Sequence, residues 1–163
     1  MVDDAFAVIK DIVGPEGAAI MDEIAKDPEA YLNAFHVPED AGEYAKGLAK
    51  VLARIPEGRG RWISCGKGWY PLIVETDQRL AAIDPNYVIF QVKEKFGRCR
   101  YYHSISADCD YETARAIESE TERRSGTICE VCGAPGTTRS GGWIQTLCDE
   151  HGDHRPEIDW GPI

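Results

Sequence analysis

No stretch of the 163 residues comes near the roughly 18–20 consecutive apolar residues of a membrane-spanning helix, so no span is expected. Base is in short supply. Lys and Arg number 18 against 28 Asp and Glu, giving a net charge of −10, the wrong sign for a protein that binds nucleic acid over its whole surface. The opening residues, MVDDAFAVIKD, lack the basic start of a secretory signal, so the chain reads as cytoplasmic. Internal repeats and low-complexity tracts are missing too. At 43% hydrophobic and 28% charged, the composition is that of a folded globular protein and argues against disorder. The length suits one ordinary domain, or one with a small appendage.

The charge is unevenly spread. Residues 1–60 carry 12 acids and 6 bases, residues 61–107 carry 4 acids and 7 bases, and residues 108–163 carry 12 acids and 5 bases. A basic middle therefore lies between two acidic ends.

Residues 1–58 read as helical. Asp3 or Asp4 caps a first helix with Phe6, Val8, Ile9, Ile12 and Val13 on its apolar side, and Gly14-Pro15 ends it, since proline removes a donor and disfavours helix just before itself. A second helix covers about 16–26. Asp27-Pro28 starts a short third one through Phe35. In the fourth, Ala41, Tyr44, Ala45, Leu48, Val51, Leu52 and Ile55 recur at helical spacing up to Pro56. Residues 59–68 are loop-like, and a helix follows from about Tyr70 to Ala82.

Residues 87–105 carry a hairpin signal. With a turn at Phe96-Gly97 and an even loop, Val88, Phe90, Val92 and Glu94 face Ile105, His103, Tyr101 and Cys99. The opposite face then pairs Ile89 with Ser104, Gln91 with Tyr102, Lys93 with Arg100 and Lys95 with Arg98. A one-residue slip would spoil the apolar face, which favours the even register. Lys93, Lys95, Arg98 and Arg100 make the second face basic, and Tyr102 adds a ring that can stack on a base. Like charges opposite one another destabilise a hairpin. Phosphate, the chain's own acidic helices or water are the alternatives for balancing them. A helix over about 110–124, capped by Asp110, follows.

Cys129-x2-Cys132-x15-Cys148-x2-His151 is the strongest motif. Ligands two residues apart grip one metal from a tight turn, and three thiolates with one imidazole suit tetrahedral Zn²⁺. The glycine-rich link ends in an apolar run, Trp143, Ile144, Thr146 and Leu147, so a zinc ribbon is expected. Four protein ligands leave no open position for water, which makes the site structural. His154 is an alternative fourth ligand. A base deaminase needs an upstream His-x-Glu, yet Val37-Pro38 follows His36 and Ser104-Ile105 follows His103. The spacer of 15 residues is also too long for a DNA-reading finger.

Cys65, Cys99 and Cys109 fall outside the motif and read as incidental thiols, and Gly66-Lys67-Gly68 is too short for a phosphate-binding loop. The acidic runs Asp22/Glu23, Glu39/Asp40/Glu43 and Glu118/Glu120/Glu122 either imitate the charge of DNA or are simply solvated. Trp160 in the tail either anchors a partner or folds back on the ribbon.

Two stretches, Cys65-Gly-Lys-Gly-Trp-Tyr through Arg98-Cys-Arg-Tyr-Tyr and Cys129-Glu-Val-Cys-Gly through Leu147-Cys-Asp-Glu-His, together resemble a family of uncharacterised bacterial and phage or prophage proteins with a C-terminal zinc-binding segment. The resemblance covers roughly residues 65–151 and implies a small phage-type accessory protein. The expectation is an α+β protein with N-terminal helices (1–58), a helix, β-hairpin and helix (59–125), a zinc ribbon (126–155) and a tail (156–163). It would use structural zinc on Cys129, Cys132, Cys148 and His151, lack catalytic machinery, and bind a host protein, as an inhibitor of host defence does. The alternative is a nucleic-acid-binding accessory protein using Lys93, Lys95, Arg98, Arg100, Tyr102 and the ribbon.

Overall fold

A computed structural model describes residues 2–153 of the chain, with side chains from residue 14 onward. The fold is α+β. A helical stretch, α1 (Val2–Lys26), is interrupted at Gly14 (φ 73°) just before Pro15, where the sequence places its break. Short helix α2 (Pro28–Asn33) starts at Asp27, whose carboxylate accepts from the Ala30 amide at 2.9 Å. The expected fourth helix is two pieces: a 3₁₀ turn over Glu39–Tyr44, broken at Gly42, and then α3 (Ala45–Ala53). Helix α4 spans Tyr70–Ile83, with Pro71 in its first turn, where a missing amide costs nothing. Asp110 caps α5 (Tyr111–Ser125) by accepting from the Thr113 amide at 3.1 Å.

A three-stranded sheet runs in the order β1 (Ile63–Ser64), β2 (Val88–Lys95), β3 (Arg98–Ser104). Strand β1 lies inside the stretch expected to be loop, and it pairs parallel to β2, with Ile63 opposite Val92. Strands β2 and β3 form the hairpin. Its loop is Phe96 (φ 56°) and Gly97 (φ 73°), a two-residue connection with both φ positive, which matches the twist of the strands. From this turn to Gln91↔Tyr102 the register is the expected one. A β-bulge then adds Phe90 to β2, so Ile89 faces His103 and Val88 faces Ser104, one residue away from expectation. The bulge brings Ile89 into the core and puts Phe90 at the surface, 37% exposed. An unbroken alternation would bury Phe90 instead.

One core holds the body together. Leu48, Val51 and Leu52 of α3, Ile73 and Leu80 of α4, and Trp69 pack against Ile89, Val92, Cys99 and Tyr101 of the hairpin, with Ala114 and Ile117 from α5. Helix α5 closes the outer edge of β3, where the Cys99 amide donates to the Ser125 hydroxyl at 2.9 Å. The helices thus cover one face of the sheet and leave the Lys93/Arg100 face outward. Among the described residues no helix is long and apolar enough to cross a membrane.

Candidate functional site

The ribbon consists of β4 (Thr137–Arg139) and β5 (Gln145–Leu147), paired antiparallel with Thr138 opposite Thr146. The strand ahead of Cys148 is shorter than expected. Trp143 and Ile144 precede it and stand 60% and 38% exposed. Knuckle one carries Cys129 and Cys132, with Gly133 at φ 79° donating its amide to the Cys129 carbonyl at 2.8 Å. The second carries Cys148 and, in a 3₁₀ turn over Asp149–His151, His151.

These knuckles bring the four predicted ligands together. Their Sγ and Nδ1 atoms all lie within 4.8 Å of one another, a cluster that can hold a metal ion. Cys132 Sγ is 3.8 Å from Cys148 Sγ, and Cys129 Sγ is 3.7 Å from His151 Nδ1. Tetrahedral zinc with bonds of about 2.3 Å to sulfur and 2.0–2.1 Å to nitrogen requires S···S and S···N separations of roughly 3.8 and 3.6 Å. Cys148 Sγ and His151 Nδ1, at 3.1 Å, stand closer than that; the donor set suits zinc, and the first two separations match it. Burial opposes ionisation of Cys129, but the amides of Cys148, Cys132 and Val131 outweigh it and bring the thiol down to about 6, so a thiolate ligand is ready near neutral pH. His154 and Trp160 lie outside the described residues.

The Cys/His cluster is built into the body. Trp69, fully buried, donates from its indole to the Ile128 carbonyl at 2.8 Å. The Gly68 amide donates to the Glu130 carbonyl at 2.8 Å, and the Gly66 amide to Glu130 Oε1 at 3.0 Å. A methyl group on Gly68 would collide with the Cys129 carbonyl oxygen and come within 2.6 Å of that of Glu130, so only glycine permits this approach. The Gly66-Lys67-Gly68 segment, unsuited to phosphate, is thus the seat of the first knuckle. Glu130 is 7% exposed, its Oε2 has no partner among the described residues, and burial pushes its carboxyl up to about 7. Sequence reading missed this role of Glu130. The one available signal was an acid between two ligand cysteines, where a solvated loop would have no need of it.

The basic residues divide. Arg100 is ion-paired to Glu122 of α5 and is lost to any ligand as a free charge. Lys93, Lys95 and Arg98 form no ion pair among the described residues. The two lysines stand beside rings, and the Arg98 guanidinium lies against Gly126 at the end of α5. The Lys93 ammonium is 5.8 Å from the centroid of Tyr102, and the Lys95 ammonium 5.5 Å from that of Phe96. Next to them, the Arg59 guanidinium lies 4.8 Å over Phe90. Tyr102 and Phe96 are 38% and 61% exposed. Phe90, Phe96 and Arg59 were not among the predicted site residues. Phe96 sits in the expected turn, whereas the exposure of Phe90 depends on the bulge, which alternation alone does not reveal.

A shallow cleft of about 180 Å³, lined by His103, Ser104, Ile105, Tyr111, Arg115 and Glu118, lies at the far end of the hairpin. The His103 ring is turned to its neighbour's backbone, with Nδ1 3.2 Å from the Tyr101 carbonyl. Comparison of the chain with protein-family models, with curated proteins and with solved structures gives no match.

Proposed function

We propose that the chain is a binding protein without catalytic chemistry of its own, in which structural zinc on Cys129, Cys132, Cys148 and His151 staples a recognition surface, and that this surface binds nucleic acid. One observation carries the reading. Lys93, Lys95 and Arg98, on the outer face of the hairpin, lack ion-pair partners among the described residues, although the chain as a whole has a surplus of acid. A protein with carboxylates to spare that leaves three adjacent cations unneutralised keeps them for an anionic partner. The staple role rests on the four-ligand set, which leaves no position for a reacting water.

The test is capture from bacterial lysate on the zinc-loaded, tagged chain, with and without nuclease. Bound nucleic acid that disappears with nuclease, together with its loss in Lys93→Glu/Lys95→Glu, supports the reading. Failure to retain nucleic acid at low salt overturns it.

A second reading, a cytoplasmic phage-type inhibitor of a host-defence protein, is favoured by the exposed Trp143 and Ile144 beside the ribbon. It predicts one stoichiometric host protein that survives nuclease and is lost in Trp143→Ala.

A further inference from the structure

The turn at the hairpin tip is built against the preference of its own sequence. Two-residue turns with both φ positive favour Asn-Gly, because asparagine tolerates the left-handed region and bulky residues do not. Here Phe96 holds that position at φ 56°. The core gives no reason for it, since the ring is 61% exposed. Neither does the docking of the tip on the ribbon. That contact is made by Gly97, whose carbonyl accepts from the Thr146 hydroxyl at 2.7 Å. A strained, exposed ring at the apex of a cationic hairpin belongs to a contact outside the molecule.

We infer that the hairpin binds single-stranded nucleic acid by stacking bases on Phe96 and Tyr102 while Lys93, Lys95 and Arg98 hold the phosphates. This rests on the nucleic-acid reading above and narrows it. The rings determine which nucleic acid. A base presents its face to an aromatic ring only when it is free of its own stack, so paired bases cannot use Phe96 or Tyr102. Tyr102 and Arg98 are four residues apart along β3, roughly 13 Å, and the tip extends the surface further. A short strand can lie along this length with bases toward the rings and backbone toward the cations. Glu122, which pairs with Arg100 on this face, is occupied by it. Glu94, on the other face, turns its Oε1 into the turn to accept from the Gly97 amide at 2.6 Å. The face itself is left cationic.

The experiment is fluorescence anisotropy of a labelled oligo-dT of about 20 nucleotides with the full zinc-loaded chain, beside a duplex of equal length and a poly-glutamate peptide. Single strand should bind best, and its log affinity should fall against log salt with a slope of roughly −2, as expected when three cations meet phosphates. Phe96→Asn suits the turn better than the native residue and keeps every charge. It should fold with an unchanged or raised melting temperature yet lose roughly 5- to 100-fold in affinity for the single strand. Tyr102→Thr, on an exposed strand position, should lose a similar factor. Duplex bound as tightly as single strand, or Phe96→Asn and Tyr102→Thr without effect while Lys93→Glu weakens binding, would overturn the stacking inference and leave the nucleic-acid reading in place. Binding of poly-glutamate alone, or of no probe, would overturn both.

Discussion

The hydroxyl of Thr146, on the ribbon's inner strand, donates to the carbonyl of Gly97 at the hairpin tip across 2.7 Å. It receives in turn from Thr138 at 3.0 Å. Thr146 is fully buried, so its bond to Gly97 is shielded from water and ties the tip to the ribbon, while Thr138 at the outer end of the chain is exposed.

Thr146→Val should therefore loosen the tip while preserving shape. It leaves the Gly97 carbonyl without its partner, at a cost of roughly 1–3 kcal/mol, while the exposed Thr138 hydroxyl turns to water. Urea denaturation measures the cost. Faster amide exchange at Gly97 than in the wild type would place the loss at the tip.

Gly68→Ala should be worse than its size implies. The added methyl meets backbone of the first knuckle, at the Cys129 and Glu130 carbonyls, and backbone yields little. A penalty of roughly 1–3 kcal/mol is expected, together with faster zinc loss in chelator competition. Unaltered zinc retention would mean that the 66–68 seat does not hold the knuckle.

Purified without chelator, the wild-type chain should carry close to one equivalent of zinc, and Cys129→Ser should carry little. Less than about half an equivalent in the wild type would contradict the four-ligand site. Because thiolates and neutral imidazole must be deprotonated to bind, zinc should be released as pH falls. Metal analysis after equilibration across acid pH reads this directly.

The body has its own polar anchor. Asp77 Oδ1 accepts from Arg54 Nε at 2.7 Å and from the Tyr87 hydroxyl at 2.6 Å, and Tyr87 and Tyr101 share a further bond at 2.9 Å. Burial first, and then the Asp77 carboxylate, holds Tyr87 protonated far above the ordinary range of a phenol. Asp77→Ala should cost roughly 3–5 kcal/mol, because it leaves a largely buried guanidinium and the buried Tyr87 phenol without their acceptor. Thermal unfolding of the zinc-loaded protein tests it.

On the α4–α5 surface, Arg124 grips both oxygens of Glu75, at 2.6 and 3.0 Å, and this hydrogen bonding lowers the Glu75 carboxyl below its usual value despite some desolvation. A carboxyl lowered on folding stabilises the native state above its unfolded pKa of about 4.3, and that contribution fades as pH falls through the lower native value. Glu75→Gln should lower the melting temperature slightly at neutral pH and narrow the gap to wild type below about pH 4. A gap independent of pH would assign the effect to packing.

The Cys/His cluster was legible in the sequence because its signal is local: two knuckles of fixed spacing whose chemistry needs no knowledge of the rest of the fold. The turn at Phe96-Gly97 and the register beside it were legible for a related reason, since a two-residue loop leaves the next few pairs no freedom. The bulge at Phe90 was not. It is set by Ile89 reaching the core that α3 and α4 build, a demand from elsewhere in the chain. Strand β1 escaped notice because two residues become a strand only when β2 is beside them. The seating of Gly68 on Glu130 joins segments more than sixty residues apart, and neither segment announces the other.

The order in which a ribosome delivers this chain gives the Trp69 indole a further meaning. Its acceptor, Ile128, and all four cluster residues are made after the hairpin and α5. Until they arrive the body carries a buried donor with nothing to receive it and a hairpin tip with nothing to rest on. Completion of the first-made part therefore waits on the last-made part and, with the zinc role proposed above, on the supply of metal. In a zinc-starved cell the defect would spread beyond the ribbon, to a chain whose earlier two-thirds are unfinished and open to proteolysis.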